Sequence, residues 1–141
     1  MRLSEAIRLG AMLSGQARGA FFTERNGETA TCALGAAANA VGTTEPVLLR
    51  LSKHWPILYS VVPSDELPAE FTASPSPQRL AEVIMTLNDV HRWTRTEIAD
   101  WVSGFEKRRG GGCAELVPHR SHSPTSVADS DDSQELAVCA R

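Results

Sequence analysis

Apolar residues recur at three- and four-residue intervals along much of this chain, and the recurrence is plainest near its middle. Leu80, Val83, Ile84 and Leu87 fall at i, i+3, i+4 and i+7, the stripe that one face of an α-helix buries. Ser76 followed by Pro77 predicts the start of that helix as cap and first helical residue, and Asn88 suits a left-handed exit. A second stripe follows at once: Ile98, Trp101, Val102 and Phe105. Its start is strongly specified. Thr94 and Glu97 have capping-box spacing, and Trp93 with Ile98 forms the matching hydrophobic staple. Lys107, Arg108 and Arg109 crowd the last turn, where cations suit the helix dipole, and Gly110 ends it. These two helices make a C-terminal αα unit.

Three further segments read as helical. LSEAIRLGAML carries Leu3, Ala6, Ile7, Leu9, Met12 and Leu13 as its apolar set, with Ser4 as cap. CALGAAANAVG is built almost wholly of small side chains, with Thr31 as its cap and Gly42 past its end, where a left-handed residue is needed. Small faces let helix backbones approach closely, so a close neighbour is expected at Gly35, which otherwise costs about 1 kcal/mol against alanine. A third segment starts at Thr44 or Glu45, has Pro46 in its first turn, and buries Leu48, Leu49, Leu51 and Trp55. ILYSVV fits a strand or a helical turn equally well. Asn26-Gly27 marks a turn that would join two short strands as a hairpin. Residues 63–77 read as a loop. The pattern predicts an all-α fold, a compact bundle of four or five helices over residues 1–109, followed by a flexible acidic tail over 110–141. That tail is rich in Gly, Ser, Pro and Asp and has too few large apolar groups to offset its ordering entropy.

Charge sharpens this division. Residues 1–109 hold 12 Lys/Arg and 12 Asp/Glu, and the tail holds 2 arginines and 5 acids, which accounts for the net charge of −3. A neutral body weighs against nucleic acid as a partner, because such affinity rests on phosphate neutralisation. No apolar run approaches the ~18 residues of a membrane span, and the first residues lack a secretory pattern, so a cytoplasmic protein is expected. Three cysteines, Cys32, Cys113 and Cys139, are odd in number and widely spaced, as for reduced thiols.

Candidate chemistry gathers in HRWTRTEIADWV, residues 91–102. Arg92, Arg95 and Thr96 would be the reading residues of a helix-turn-helix. The turn from Asn88 to Trp93 is longer than the ~3–4 residues usual there, and Glu97, Asp100 and Glu106 would repel phosphate. Asp89 beside His91 would orient an imidazole for general-base work, with Cys32 as a candidate nucleophile. The alternative reading is local: Asp89 bonds turn amides and His91 packs on Trp93 or Trp55. Cys113, His119, His122 and Cys139 match no compact zinc spacing, and no metal or cofactor is expected. Trp is a preferred interface anchor. Trp93, Trp101 and Arg95, with Arg92, are therefore the expected binding residues, and the partner is expected to be another protein or a second copy of the chain.

LSEAIRLGAML, CALGAAANAVG and LNDVHRWTRTEIADWV, in this order, resemble a family of small uncharacterised proteins of bacteria and their phages. The resemblance spans most of residues 1–106. It implies a bacterial or phage setting and no particular activity. Some relatives carry a cysteine pair of metal-knuckle type where this chain reads SVVPSDELPAEFTASPSPQ, so no metal site transfers. The sequence favours a small non-enzymatic accessory or regulatory protein. A DNA-binding regulator is the first alternative, and a small hydrolase or metal-dependent enzyme the second.

Overall fold

The computed structural model describes residues 1–43, 48–71 and 76–110. The start expected for the third helix at Thr44–Pro46 lies outside these residues, as does the expected tail beyond Gly110. Five helices carry the fold: α1 (Leu3–Leu13), α2 (Ala33–Ala40), α3 (Leu48–His54), α4 (Leu80–Asp89) and α5 (Arg95–Gly110). Five short strands accompany them: β1 (Gly15–Gln16), β2 (Phe22–Arg25), β3 (Glu28–Thr31), β4 (Val61–Val62) and β5 (Gln78–Arg79). No described helix is long and apolar enough to cross a membrane.

The strands correct the all-α expectation: the fold is mixed α/β, with a three-stranded and a two-stranded sheet. In the larger sheet β3 is central, antiparallel to β2 and parallel to β1. Asn26 and Gly27 both take positive φ, 55° and 78°, the pair a tight two-residue hairpin requires. Strands of two and four residues, most of whose side chains are exposed, bury no alternating face, so they leave no period-two signal to read.

The smaller sheet also moves the start of α4. Gln78 and Arg79 pair with Val62 and Val61, and the Leu80 amide donates to the Ser60 carbonyl. The helix therefore begins at Leu80 instead of Pro77. Glu82 accepts from the Arg79 amide at 2.9 Å. ILYSVV splits between the two structures it fits: Pro56–Tyr59 is a 3₁₀ turn and Val61–Val62 is β4.

The helices meet in one core. Leu3 and Ile7 of α1, Leu34 of α2, Leu51 of α3, the whole α4 stripe, and Ile98, Val102 and Phe105 of α5 are fully buried. α1 and α5 run antiparallel. Glu106 accepts from the Leu3 amide and Ser4 hydroxyl, Arg8 pairs with Asp100, and Arg95 reaches Ala11 and Ser14. α1 crosses α2 in backbone contact, because a Cβ at Gly10 would overlap the carbonyl oxygen of Ala36. The buried face of α1 is thus Leu3, Ala6, Ile7 and Gly10, which turns Met12 and Leu13 outward at 77% and 59% exposure. Leu49 of α3, also expected inside, is exposed.

Candidate functional site

The termini of α1, α4 and α5 that lie nearest one another form one end of the molecule, and most of the chemistry-bearing residues are there. Asn88, the penultimate residue of α4, is fully buried. Its amide donates to the Ala17 carbonyl at 3.0 Å and to Asp89 Oδ1 at 2.6 Å, and its oxygen accepts from Gln16 Nε2 at 3.3 Å. Gln16 also donates to the Trp93 carbonyl at 2.8 Å. Asp89 Oδ1 takes the Gly19 amide at 2.8 Å. The loop after α1 is thereby sewn to the α4–α5 turn. Asn88 was expected at the left-handed exit. A buried carboxamide needs partners on all sides, and helical backbone aims it at them, so the left-handed position falls instead on Arg92, φ 58°.

Arg95 is the main junction. Only 7% exposed, its guanidinium donates to Thr31 Oγ1 at 2.9 Å, Ser14 Oγ at 3.1 Å, the Ser14 carbonyl at 2.6 Å and the Ala11 carbonyl at 3.2 Å. Two of these acceptors end α1, where a helix leaves carbonyls unpaired and a cation is favoured. Thr31 ends β3. One side chain of α5 thus joins a helix terminus and a strand terminus. Burial lowers its pKa from the usual guanidinium value, but arginine stays protonated throughout the range proteins survive.

Cys32 caps α2, its sulfur accepting from the Gly35 amide at 3.4 Å; Thr31, the expected cap, is spent on Arg95 and Ser14. At 6% exposure, burial pushes the thiol pKa up, and the negative charge of Asp89 adds to the rise. The nucleophile in cysteine chemistry is the thiolate, and this environment disfavours it. His91 does not join the set. Its ring lies against Phe71, centroids 5.3 Å apart, rather than on Trp93 or Trp55. Among the described residues no hydrogen bond connects its ring to Cys32 or Asp89.

With Cys113 and Cys139 replaced by serine, Cys32 should react with a water-soluble disulfide reagent about a hundredfold more slowly folded than in urea. A thiol whose folded pKa is raised stabilises the fold below its ordinary value near 9.0, and that contribution is lost as pH rises further. The urea midpoint should fall above that pH more steeply in the wild type than in Cys32→Ala. Equal slopes together with fast folded-state labelling would refute the burial of the thiol.

The tryptophans fasten the segment between β4 and β5. Trp93 Nε1 donates to Glu70 Oε1 at 3.2 Å and Trp101 Nε1 to the Glu66 carbonyl at 3.3 Å. Arg108 pairs with Glu66 at 3.1 Å. Both rings are half-buried against the core. Trp55 is buried and donates to the Met1 carbonyl. Arg92 is exposed, and its carbonyl accepts from Arg18 at 3.5 Å. Among the described residues no three His, Cys, Asp or Glu side chains gather to hold a metal; Cys113, His119, His122 and Cys139 lie outside those residues. Sequence reading passed over Ser14 and Gln16 and gave Thr31 only as a cap; their partners in α4, α5 and the turn between lie 64 to 81 positions away, and no local pattern marks such pairs.

No protein-family model matches this chain, and no curated protein or solved structure matches it either.

Proposed function

We propose that this protein is a non-enzymatic accessory or regulatory protein, of bacterial or phage origin and cytoplasmic, that works by binding another protein or a second copy of itself. The setting rests on the three sequence motifs. The mode of action rests on one observation: at the end where α1, α4 and α5 meet, the side chains that could carry chemistry are tied up internally while large apolar ones face outward. Asn88, Asp89 and Arg95 are committed to internal hydrogen bonds, and Cys32 is a buried thiol. Met12, Leu13 and Val90, in contrast, are 77%, 59% and 68% exposed. Methionine and leucine displayed together at a helix end are adaptable contact material, and exposed apolar groups on otherwise polar surfaces favour association. Trp93, half-buried in the same turn, would border the contact.

Sedimentation velocity across a wide concentration range tests this reading, alongside crosslinking in lysate of the source cells. The expected result is a concentration-dependent dimer, or a defined crosslinked partner, that Met12→Glu/Leu13→Glu loses while its far-UV spectrum and urea midpoint are kept. A chain that stays monomeric and acquires no partner sensitive to these two substitutions contradicts it.

A further inference from the structure

A second feature lies beside this end, on the outer side of the hairpin sheet. A depression of about 340 Å³ opens there, lined by Gln16, Arg18, Thr23, Arg25 and the small residues Ala17, Ala20 and Ala30. Its volume is at the lower end of those that hold small ligands. Its charge is one-sided: two arginines line it and no acid does. Thr23 and Arg25 are two apart on β2, so the strand pleat sets them on one face. Ala30 is Thr23's partner across β3, and its methyl leaves room above the sheet. Glu28 stands opposite Arg25 in the register, yet among the described residues the two make no ion pair.

The arginines are exposed and largely uncommitted. Among the described residues the Arg25 side chain has no hydrogen bond or ion pair, and the Arg18 side chain has one long contact to the Arg92 carbonyl. The Thr23 hydroxyl likewise has no partner among them. The frame beneath is fixed: Gln16 is bonded to Asn88 and Trp93, Ala17 to Thr31 and Asn88, and Gly19 to Asp89. This bonded loop brings Arg18 to the lining of the depression, and β2, ending at the tight Asn26-Gly27 turn, brings Arg25.

We propose that this depression is a binding site for a small phosphate-bearing ligand, held between Arg18 and Arg25 with Thr23 as a hydroxyl donor. Two guanidiniums match a dianion, and a phosphate monoester carries nearly two charges at neutral pH. A single carboxylate carries one. The planar guanidinium fork also fits phosphate oxygens two at a time. The balanced charge of residues 1–109, 12 basic against 12 acidic, gives no extended field for a polyanion, so the match is local and the ligand small. This inference does not depend on the proposed association.

The full chain, labelled with ¹⁵N, is titrated with inorganic phosphate and separately with glycerol phosphate, each against sodium chloride and sodium acetate at equal ionic strength. The site predicts saturable shifts confined to the amides of residues 16–20, 23–25 and 30, in at least one phosphate arm and in neither control. If the ester binds more tightly than the free ion, the ligand is an organic phosphate; the reverse order identifies inorganic phosphate. Arg25→Gln should weaken binding about tenfold, and Arg18→Gln/Arg25→Gln should remove it without changing the thermal midpoint, since both side chains are exposed. Thr23→Glu, which adds a competing carboxylate on an exposed strand position, should also remove it. Shifts no larger than in chloride, or shifts unchanged in the double variant, overturn the proposal.

Discussion

Replacing Arg95 by alanine is expected to destabilise the fold by about 3 kcal/mol or more in urea denaturation. The substitution removes four hydrogen bonds, and hydrogen bonds to a charged group contribute roughly 1.5–3 kcal/mol each. These share one side chain, so they do not add fully. Their loss also takes a donor from the fully buried Thr31 Oγ1 and from the part-buried carbonyls of Ala11 and Ser14. Arg95→Lys should recover less than half of the loss, because an ammonium on a flexible stem cannot span a strand terminus and a helix terminus at once. A change below about 0.5 kcal/mol, the range of ordinary surface substitutions, would show that the guanidinium is not the junction described here. The same result bears on function, since a residue this heavily committed inside is not free to read a surface partner.

The other large effect is expected at Gly10. Alanine there gains about 1 kcal/mol in intrinsic helix propensity, so propensity alone predicts a more stable protein. Packing predicts the opposite. The added methyl would overlap the Ala36 carbonyl and force α1 and α2 apart, and overpacking a close-packed contact typically costs about 1–3 kcal/mol, occasionally more. Because the overlap is with backbone, which cannot swing aside, the cost falls at about 3 kcal/mol or more, and Gly10→Ala should lose about 2 kcal/mol or more net. Gly35→Ala, whose methyl would overlap the Phe21 carbonyl, should behave alike. Gly104→Ala supplies the control. The nearest atom to an added Cβ is the far end of the long Arg108 side chain, at 3.3 Å, so it should stabilise by about 0.5–1 kcal/mol. Thermal or urea midpoints of the three variants decide the matter, and a stabilised Gly10→Ala would remove the helix crossing from the account.

What the sequence disclosed follows the length over which each signal repeats. The α4 stripe spans two turns, and all four of its members are fully buried. The start of α5 carries a local signature, and it forms: Glu97 accepts from the Thr94 amide at 2.7 Å while Thr94 Oγ1 accepts from the Glu97 amide at 3.2 Å. Asn26-Gly27 announced a turn for the same local reason. The β2–β3 hairpin came with that turn, but β1 and β5 were lost because two residues have no period, and the strands they pair with lie elsewhere in the chain. The α1 stripe was misread at its far end. Met12 and Leu13 fit the apolar spacing, but the close approach at Gly10 rotates the helix so that they face outward. Arg95 illustrates the limit most clearly. An arginine beside a helix start reads as a surface residue, and nothing nearby reveals that Ser14 and Thr31 will surround it.

The α4–α5 turn and the start of α5 serve as internal framework. A double-mutant cycle between Arg95→Met and Thr31→Val, followed by urea denaturation, tests it most directly. Both substitutions keep side-chain bulk, so the coupling reports the contact itself. The double variant should be more stable than the sum of the single effects implies, by about 1 kcal/mol or more. Effects that add within about 0.3 kcal/mol would mean the two side chains do not meet, and would contradict it.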